Sequence, residues 1–340
     1  MVGSGERAYA FAKASGIIGK SFIGHGMSRL DGVSRLSELD RLIFPQDPHD
    51  LPEWELLMDL EERISGRAVK QINTIVSSFA KPPELWVRLF RVYEYADVKS
   101  VLSAAAQGET VIPPVTDIGK FGTVRFEAYP DLKAMFRGTE FEWILKENEH
   151  PHNMKEQFEL QIKIDRDYYN LLWNSVIKLP EKDREYIYKI LSDEISLKNC
   201  AWALRLRIYY QLQEEDIRRC LVDIKPGKGK PSLAAEAEKS LSMALDNYAD
   251  WAKWRWVSFL NPAQSGEGWT ADARYFQNAS ARHLYRLARF YFRRRPFSLD
   301  VVSCFIKLKQ FEEDLLTSLA EGLSLGMGGR EVLSLQEVRS

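Results

Sequence analysis

The segment that could bind a phosphate contains Gly19, Lys20 and Ser21, preceded by Ala14 at the spacing of a P-loop. A P-loop uses the backbone amides between a buried strand and a helix to bind nucleotide phosphates. Residues 6–14, however, have the apolar periodicity of an amphipathic helix, and Ala14 occupies the position of the first glycine. The sequence therefore favours an N-terminal helix whose end is destabilised by glycine over a nucleotide-binding site.

A second cluster has the side chains of a metal site, namely Glu147, Glu149, His150 and His152. Zinc sites combine imidazole, thiolate and carboxylate ligands at regular spacings, but Pro151 separates the two histidines, and no further His or Cys pair completes the set. We interpret this cluster as a solvated turn between helices. The sequence predicts neither a metal nor another cofactor.

The nucleophilic side chains give no catalytic pattern either. Cys200, Cys220 and Cys304 are far apart in apolar helical segments, which predicts inert buried thiols and no disulfide framework. The five histidines show no nucleophile-and-base pattern with serine or cysteine. We therefore predict a non-catalytic protein.

Four arginines near the C-terminus follow one another at helical spacing: Arg282, Arg286, Arg289 and Arg293. Steps of four, three and four residues place them on one face of a helix, and we name this face the arginine stripe. Guanidinium groups pair well with carboxylates, so the stripe predicts a contact with an acidic protein partner.

Two further arginines, Arg205 and Arg207, lie in residues 201–210, which are apolar nearly all round. Such a helix is expected in the core or at an interface, where a buried guanidinium needs a partner. Two interpretations remain open. The arginines form ion pairs within the subunit, or they face a cleft where a partner's carboxylates bind.

An alternative function is nucleic-acid binding by the basic segment 282–295, which extends the arginine stripe. Trp251, Trp254 and Trp256 would then stack on bases while the arginines contact phosphates. The net charge of −1 argues against bulk attraction to nucleic acid, and tryptophans at helical spacing usually fill a core. A protein partner is the favoured interpretation.

Helical periodicity dominates the elements that must position these residues. It is clearest in residues 153–179, and similar patterns cover residues 6–22, 53–78, 83–106, 181–222, 234–258, 270–294 and 298–326. Only residues 123–129 resemble a strand, and one isolated strand cannot form a sheet. The sequence therefore predicts an all-α fold.

The chain has 340 residues, of which 45% are hydrophobic and 28% charged, and this composition predicts a soluble protein of two or three packed units. No apolar run approaches the roughly 18 residues of a membrane helix. The N-terminal segment has no apolar block of the signal-peptide type, so we expect a cytoplasmic location.

Two segments rich in Gly, Pro and polar residues, 107–122 and 223–232, divide the chain into thirds. They predict three helical subdomains with the approximate bounds 1–112, 113–230 and 231–340. Comparable apolar helices occur in the three parts, at residues 92–105, 195–210 and 297–319. This pattern suggests a pseudo-threefold repeat, although ordinary helix-bundle periodicity explains it equally well.

Three segments carry a family resemblance, which extends along nearly the whole chain. Their distinctive residues are Tyr9, Phe11 and Lys13 in the first helix, Asn199, Leu204 and Arg205 in a central helix, and Lys309, Glu312 and Glu321 in the closing helix. In these segments the chain resembles the C-type subunits of the prokaryotic V/A-type (vacuolar/archaeal-type) ATPases, which are relatives of the eukaryotic d-type subunits. Gln310 and Asp314 depart from the Glu and Asn expected in that family.

The resemblance implies a funnel of three similar helical subdomains. It further implies a peripheral subunit on the cytoplasmic face of the membrane, which sits on the rotor ring and receives the tip of the central stalk in its cavity. Such a protein transmits the torque that couples ATP hydrolysis or synthesis to proton or sodium transport, without catalysis of its own. Arg205, Arg207 and the arginine stripe are then candidates for contacts with acidic stalk residues.

Overall fold

The computed structural model describes residues 3–147, 154–261 and 269–335, and these ranges contain helices but no β-strand. The predicted all-α class is confirmed. The α-helices are α1 Ser4–Gly19, α2 Leu36–Ile43, α3 Glu53–Val76, α4 Glu84–Phe90, α5 Val92–Ala106, α6 Leu132–Phe136, α7 Ile144–Glu147, α8 Met154–Ile177, α9 Glu181–Ile208, α10 Glu214–Cys220, α11 Ala235–Leu241, α12 Tyr248–Trp251, α13 Ala273–Arg294, α14 Asp300–Ser324 and α15 Gly329–Leu335. Short 3-10 helices span Gly24–Leu30, Gly119–Phe121, Phe126–Ala128 and Val257–Phe259.

Helix α14 is the central element of the fold, and it packs against α1, α2, α3, α4, α9, α13 and α15. Its sequence is apolar on several sides, so it cannot lie on the surface with one face in water. Phe305, Ile306 and Leu316 are fully buried within it. Helices that surround a buried core helix at close-packed density form a stiff body.

Helices α13 and α14 form a hairpin, because only residues 295–299 connect them. Asp272 begins α13 by accepting a hydrogen bond from the backbone N–H of Arg274 at 2.7 Å, and Pro296 follows its end. At the far end of the hairpin, α15 packs close to α14. A Cβ on Gly322 would lie 2.3 Å from Val332 Cγ2, so only glycine permits this approach.

The buried apolar residues form two clusters. The larger includes residues from α1–α5, α8, the first half of α9, the end of α13 and α14. The smaller combines the second half of α9 with α10, α11 and the rings of Trp251, Trp254 and Phe276. The pseudo-threefold grouping and the three subdomain bounds stay predictions.

Several sequence-based expectations about local structure are wrong, and one is the pattern over residues 181–222, which ends as α9 at Ile208 and resumes as α10 at Glu214. Residues 123–129 contain the 3-10 helix Phe126–Ala128 in place of a strand. Residues 234–258 do not form one helix, because the indole N–H of Trp251 donates to Ala244 O at 2.7 Å and that of Trp254 to Glu236 O at 3.0 Å. These bonds fold the chain back, so that the aromatic rings pack together.

Cys200, Cys220 and Cys304 are buried and free, as the sequence predicts. None of the helices in the three described ranges combines the length and apolar character that a bilayer crossing requires.

Candidate functional site

Arg205 lies in a pocket between α8 and α9, which we name the α8–α9 pocket. This cavity of about 200 Å³ is lined by Phe158, Gln161, Ile162, Asp165, Trp202, Arg205, Leu206, Tyr210 and Cys220. The Arg205 side chain is exposed and forms no hydrogen bond or ion pair with the described part of the chain. Asp165 in the same pocket pairs with Lys99 Nζ at 2.9 Å. The pocket therefore presents an unpaired guanidinium on an aromatic wall.

Arg207, two residues further along α9, has a different role. Its guanidinium is half-buried and donates to Ser240 O at 3.0 Å and to Met243 O at 2.6 Å. These carbonyls lie at the end of α11, where helix backbone oxygens have no partner within the helix. Arg207 therefore fixes α11 against α9 through carbonyls, whereas the sequence interpretation within the subunit was an ion pair.

A surface of mixed charge connects the α8–α9 pocket with α14. Lys198 on α9 lies over the rings of Tyr169 and Trp202, each with its centroid 5.2 Å away. Lys307 on α14 pairs with Glu194 on α9 at 2.8 Å. Such contacts hold the aliphatic parts of both lysines against the protein.

Arg282 lines a groove between α13 and α14, which we name the α13–α14 groove. Its volume is about 520 Å³, and its lining is Gln277, Asn278, Ala281, Arg282, Phe311, Glu313, Asp314, Leu315, Thr317, Ser318 and Glu321. Three carboxylates thus face a single arginine in a concave space. The groove is acidic, although its arginine comes from the basic stripe.

Two carboxyl groups of the groove, those of Glu313 and Asp314, have raised pKa values. Desolvation raises the pKa of Glu313 to about 7, a shift opposed by hydrogen bonds from Tyr93 and Ser65 and reinforced by Asp314. Asp314 is exposed to solvent inside the concave surface, but the surrounding protein limits its hydration and raises its pKa to about 6 against the attraction of Lys307. A cation bound in this groove would stabilise the ionised forms of both carboxyl groups.

Arg289 and Arg293 line a third space, between α1 and α13, which we name the α1–α13 cavity. Its volume is about 360 Å³. No carboxylate is among its described lining residues. Arg286 is exposed between the groove and the cavity and lines neither. The six candidate arginines therefore do not form one surface.

The Lys309–Glu312 pair, which the family resemblance includes, is buried in the core. The Lys309 ammonium donates to Glu312, and the same carboxylate accepts from the backbone N–H of Phe22 at 2.7 Å and from Arg67 Nη1 at 3.3 Å. Both side chains are almost without solvent exposure. The pair fixes α14 against α3 and the segment after α1.

The family model described as ATP synthase (C/AC39) subunit matches residues 56–333 of this chain. The chain belongs to this family. Membership implies a component of a V/A-type ATPase. An uncharacterized protein of Treponema pallidum (strain Nichols) is 27% identical over 328 residues, which cover 94% of this chain and 92% of that protein.

In this C/AC39 family member, the P-loop-like segment is helical. Helix α1 includes Ala14 and Gly19, Lys20 follows at its C-terminal end, and the Ser21 hydroxyl donates to Ile18 O. No strand precedes the segment in the described residues, so the geometry of a P-loop is not formed. The alternative of nucleotide binding at Lys20 has no structural support.

The metal-like cluster containing Glu149, His150 and His152 lies outside the described residues. Within residues 3–147, 154–261 and 269–335, no group of three or more His, Cys, Asp or Glu side chains could hold a metal ion.

The nucleic-acid alternative required exposed tryptophans near the arginine stripe. Trp251, Trp254 and Trp256 are instead buried in the smaller core cluster. Arg255 donates to Asp193 Oδ1 at 2.7 Å. Rings buried in this way cannot stack on bases, so the structure gives this alternative no support.

Sequence reasoning missed the acidic side of the α13–α14 groove. It noted Asp314 only as a departure from the family pattern and did not select Glu313 as a site residue. The signal was present, since residues 312–314 place three acids in succession within an otherwise apolar helix. Glu312 is neutralised by Lys309 in the core, whereas the other two acids line the groove.

Proposed function

We propose that this chain is the central-rotor adaptor of a V/A-type rotary ATPase, a protein that links the central stalk to the membrane rotor ring. The observation that carries the proposal is the match of the C/AC39 family model to residues 56–333. In this role the chain transmits the torque that couples ATP hydrolysis or synthesis to proton or sodium transport. It binds peripherally at the cytoplasmic face of the membrane and catalyses no reaction itself.

The packing of the helices supports this role physically. Torque transfer requires a body that deforms little, and α14 is held on several sides by the helices that surround it. The buried Lys309–Glu312 pair adds a fixed polar contact between α14 and the segment after α1. Local opening of such a packed helical domain costs much of its free energy of unfolding. An applied torque is therefore transmitted through the domain without deforming it.

The charges of two concave surfaces support a contact with side chains of both signs on the stalk. Arg205 in the α8–α9 pocket fits an acidic stalk residue. The α13–α14 groove fits a basic stalk residue, because Glu313 and Asp314 outnumber Arg282 there. Complementary charges of this kind fix the register of a complex more than they increase its affinity.

The proposal is tested by affinity purification of the tagged chain from detergent-solubilised membranes of the source cells, with mass spectrometry of the proteins recovered. We expect stalk and rotor-ring proteins of the ATPase in the wild-type sample. Absence of both, with the tagged chain folded and membrane-associated, would contradict the proposed role.

Charge reversals locate the stalk contact. Arg205→Glu and Asp314→Lys are expected to lower recovery of the stalk by about tenfold or more, because each places like charges across a desolvated contact. Arg286→Glu is the matched control, since Arg286 is an exposed arginine outside the groove and the cavity. Equal losses in all three variants would show that the contact is not at these surfaces.

A further inference from the structure

The α1–α13 cavity is built from several elements. Its lining residues are Phe11, Ser15, Ile18 and Gly19 from α1; Ile23, Gly24, His25 and Gly26 from the following segment; Tyr285, Arg289, Phe292 and Arg293 from α13; and Leu308 from α14. Tyr285, Arg289 and Arg293 supply donors from α13, opposite α1 and the segment after it. Apolar side chains of Phe11, Ile18 and Leu308 form the remaining wall.

The donors of this cavity have no acceptors within the described residues. Arg289 and Arg293 form no ion pair or hydrogen bond there, although many other arginines of the protein have a carboxylate or carbonyl partner. The Tyr285 residue is only 5% exposed, and its buried hydroxyl finds no partner in the described chain. An unsatisfied buried hydroxyl is costly to folding, and this one lies beside the Arg289 guanidinium next to Gly24, where an anion bound to Arg289 would supply the missing acceptor.

Gly24 keeps the space beside these donors open. Its φ is +61°, in the left-handed region that side chains rarely adopt. A Cβ at this position would lie 3.5 Å from Cζ of Arg289 and 3.7 Å from Oη of Tyr285. The glycine thus leaves room next to the guanidinium and the hydroxyl, where a side chain would occupy the space.

We infer that the α1–α13 cavity binds the phosphate group of a small organic phosphate. Two guanidinium groups without carboxylate neighbours attract an anion, and a phosphate group has enough acceptor oxygens to bind both of them and the Tyr285 hydroxyl together. The volume of about 360 Å³ exceeds that of a phosphate ion alone, and it lies in the range of small-ligand sites. The wall of Phe11, Ile18 and Leu308 accommodates the organic part.

Isothermal titration calorimetry of the full chain with glycerol 3-phosphate tests this inference. We expect saturable binding at one site, weakened roughly tenfold to a hundredfold by Arg289→Ala, because that change removes a charge-assisted hydrogen bond. Arg286→Ala is the matched control and should leave the affinity unchanged, since this arginine lies outside the cavity on the same helix. No binding to the wild type, or equal weakening by both changes, would overturn the inference.

Tyr285→Phe provides a second variant that removes a single oxygen. The phenylalanine ring keeps the stacking on Phe311, whose ring centroid is 4.4 Å away, so the fold should be retained. We expect the affinity for glycerol 3-phosphate to fall about threefold to tenfold. An unchanged affinity would remove Tyr285 from the site and overturn the proposed convergence of donors.

The phosphate could come from a soluble metabolite or from a lipid headgroup, and an experiment with lipid vesicles distinguishes the two sources. Sedimentation with phosphatidylcholine vesicles is compared in the presence and absence of phosphatidic acid. Arg289-dependent sedimentation with phosphatidic acid, together with glycerol 3-phosphate binding, indicates a lipid source, whereas binding of glycerol 3-phosphate alone indicates a soluble one. Sedimentation that Arg286→Ala and Arg289→Ala reduce equally reflects diffuse surface charge and contradicts a phosphate site.

Discussion

The two ends of α13 carry arginines of the same stripe but meet opposite surroundings. At its N-terminal half, Arg282 faces Glu313, Asp314 and Glu321 across the α13–α14 groove. At its C-terminal half, Arg289 and Arg293 face glycines, a buried hydroxyl and apolar side chains in the α1–α13 cavity. The two regions are about 10–16 Å apart along the helix, at 1.5 Å per residue.

The difference shows that the spacing of charges along a helix does not determine what they bind. The facing element decides it, since α14 supplies carboxylates to one end and the segment after α1 supplies none to the other. The first region therefore suits a basic group on another protein, and the second suits a free anion. Two adjacent glutamates on α14 contribute to different regions. Glu312 accepts a hydrogen bond from the backbone N–H of Phe22 near the cavity, whereas Glu313 lines the groove.

Glu312→Ala is expected to have the largest effect on the two regions. It leaves the Lys309 ammonium buried without its carboxylate and releases the backbone N–H of Phe22, next to the wall of the cavity. Breaking a buried pair in this way lowers the free energy of unfolding by about 3–5 kcal/mol. Urea denaturation measures the change, and a loss below about 1 kcal/mol would contradict the anchoring role.

Glu313 gives the acidic region a pH-dependent contribution to stability. Its pKa of about 7 in the folded protein exceeds the ordinary glutamate value of 4.5, so the folded state binds this proton more tightly. The contribution of Glu313 to the free energy of unfolding should therefore fall by about 1–3 kcal/mol as the pH rises from about 4.5 to 7, and remain level above. Glu313→Gln should remove this part of the slope in denaturation curves recorded across the pH range. A slope identical to that of the wild type would show that Glu313 titrates normally.

Arg282→Ala and Arg289→Ala form a matched pair on one helix. Removing Arg282 takes a cation from beside three carboxylates and should destabilise the fold by about 0.5–1 kcal/mol, whereas removing the unpaired Arg289 should be neutral or slightly stabilising. Thermal denaturation at low ionic strength reveals the difference. The difference in stability between the two variants should diminish in concentrated salt, because both sites are accessible to counterions. Equal effects would show that the two surroundings do not differ electrostatically.

Arg286→Ala is expected to have the smallest effect, within about 0.5 kcal/mol of the wild type, because this exposed side chain lines neither region. Its thermal denaturation is recorded under the same conditions as the matched pair. A larger loss of stability would mean that the stripe acts as one continuous surface and not as two separate regions.

The helices that build these regions could largely be predicted from the sequence. The patterns at residues 270–294 and 298–326 correspond to α13 and α14 within a few residues, because a strong apolar periodicity and Pro296 define both. The prediction of one helix over residues 234–258 was wrong, because tertiary hydrogen bonds from Trp251 and Trp254 override the local preference for a continuous helix.

The site was predictable only in part, for a related reason. The spacing of the arginines predicts that they share one face of a helix. It contains no information about which side chains of distant segments pack against that face. Gly24 and Tyr285 are 261 residues apart in the sequence, and only the packing of the fold brings them near each other. For Arg207 the sequence left an ion pair within the subunit and a partner contact open, and neither includes the carbonyl oxygens of Ser240 and Met243 that bind it.

Photo-cross-linking in the assembled membrane complex probes the stalk contact without relying on stability or affinity. A photoreactive amino acid replaces Asp314 in the α13–α14 groove, and the same residue replaces Arg286 in a control chain. We expect position 314 to cross-link to a central-stalk protein of the ATPase, identified by mass spectrometry, while position 286 gives much less of that product. A groove that cross-links to no ATPase component, in a complex that still contains the chain, would contradict the proposed rotor adaptor.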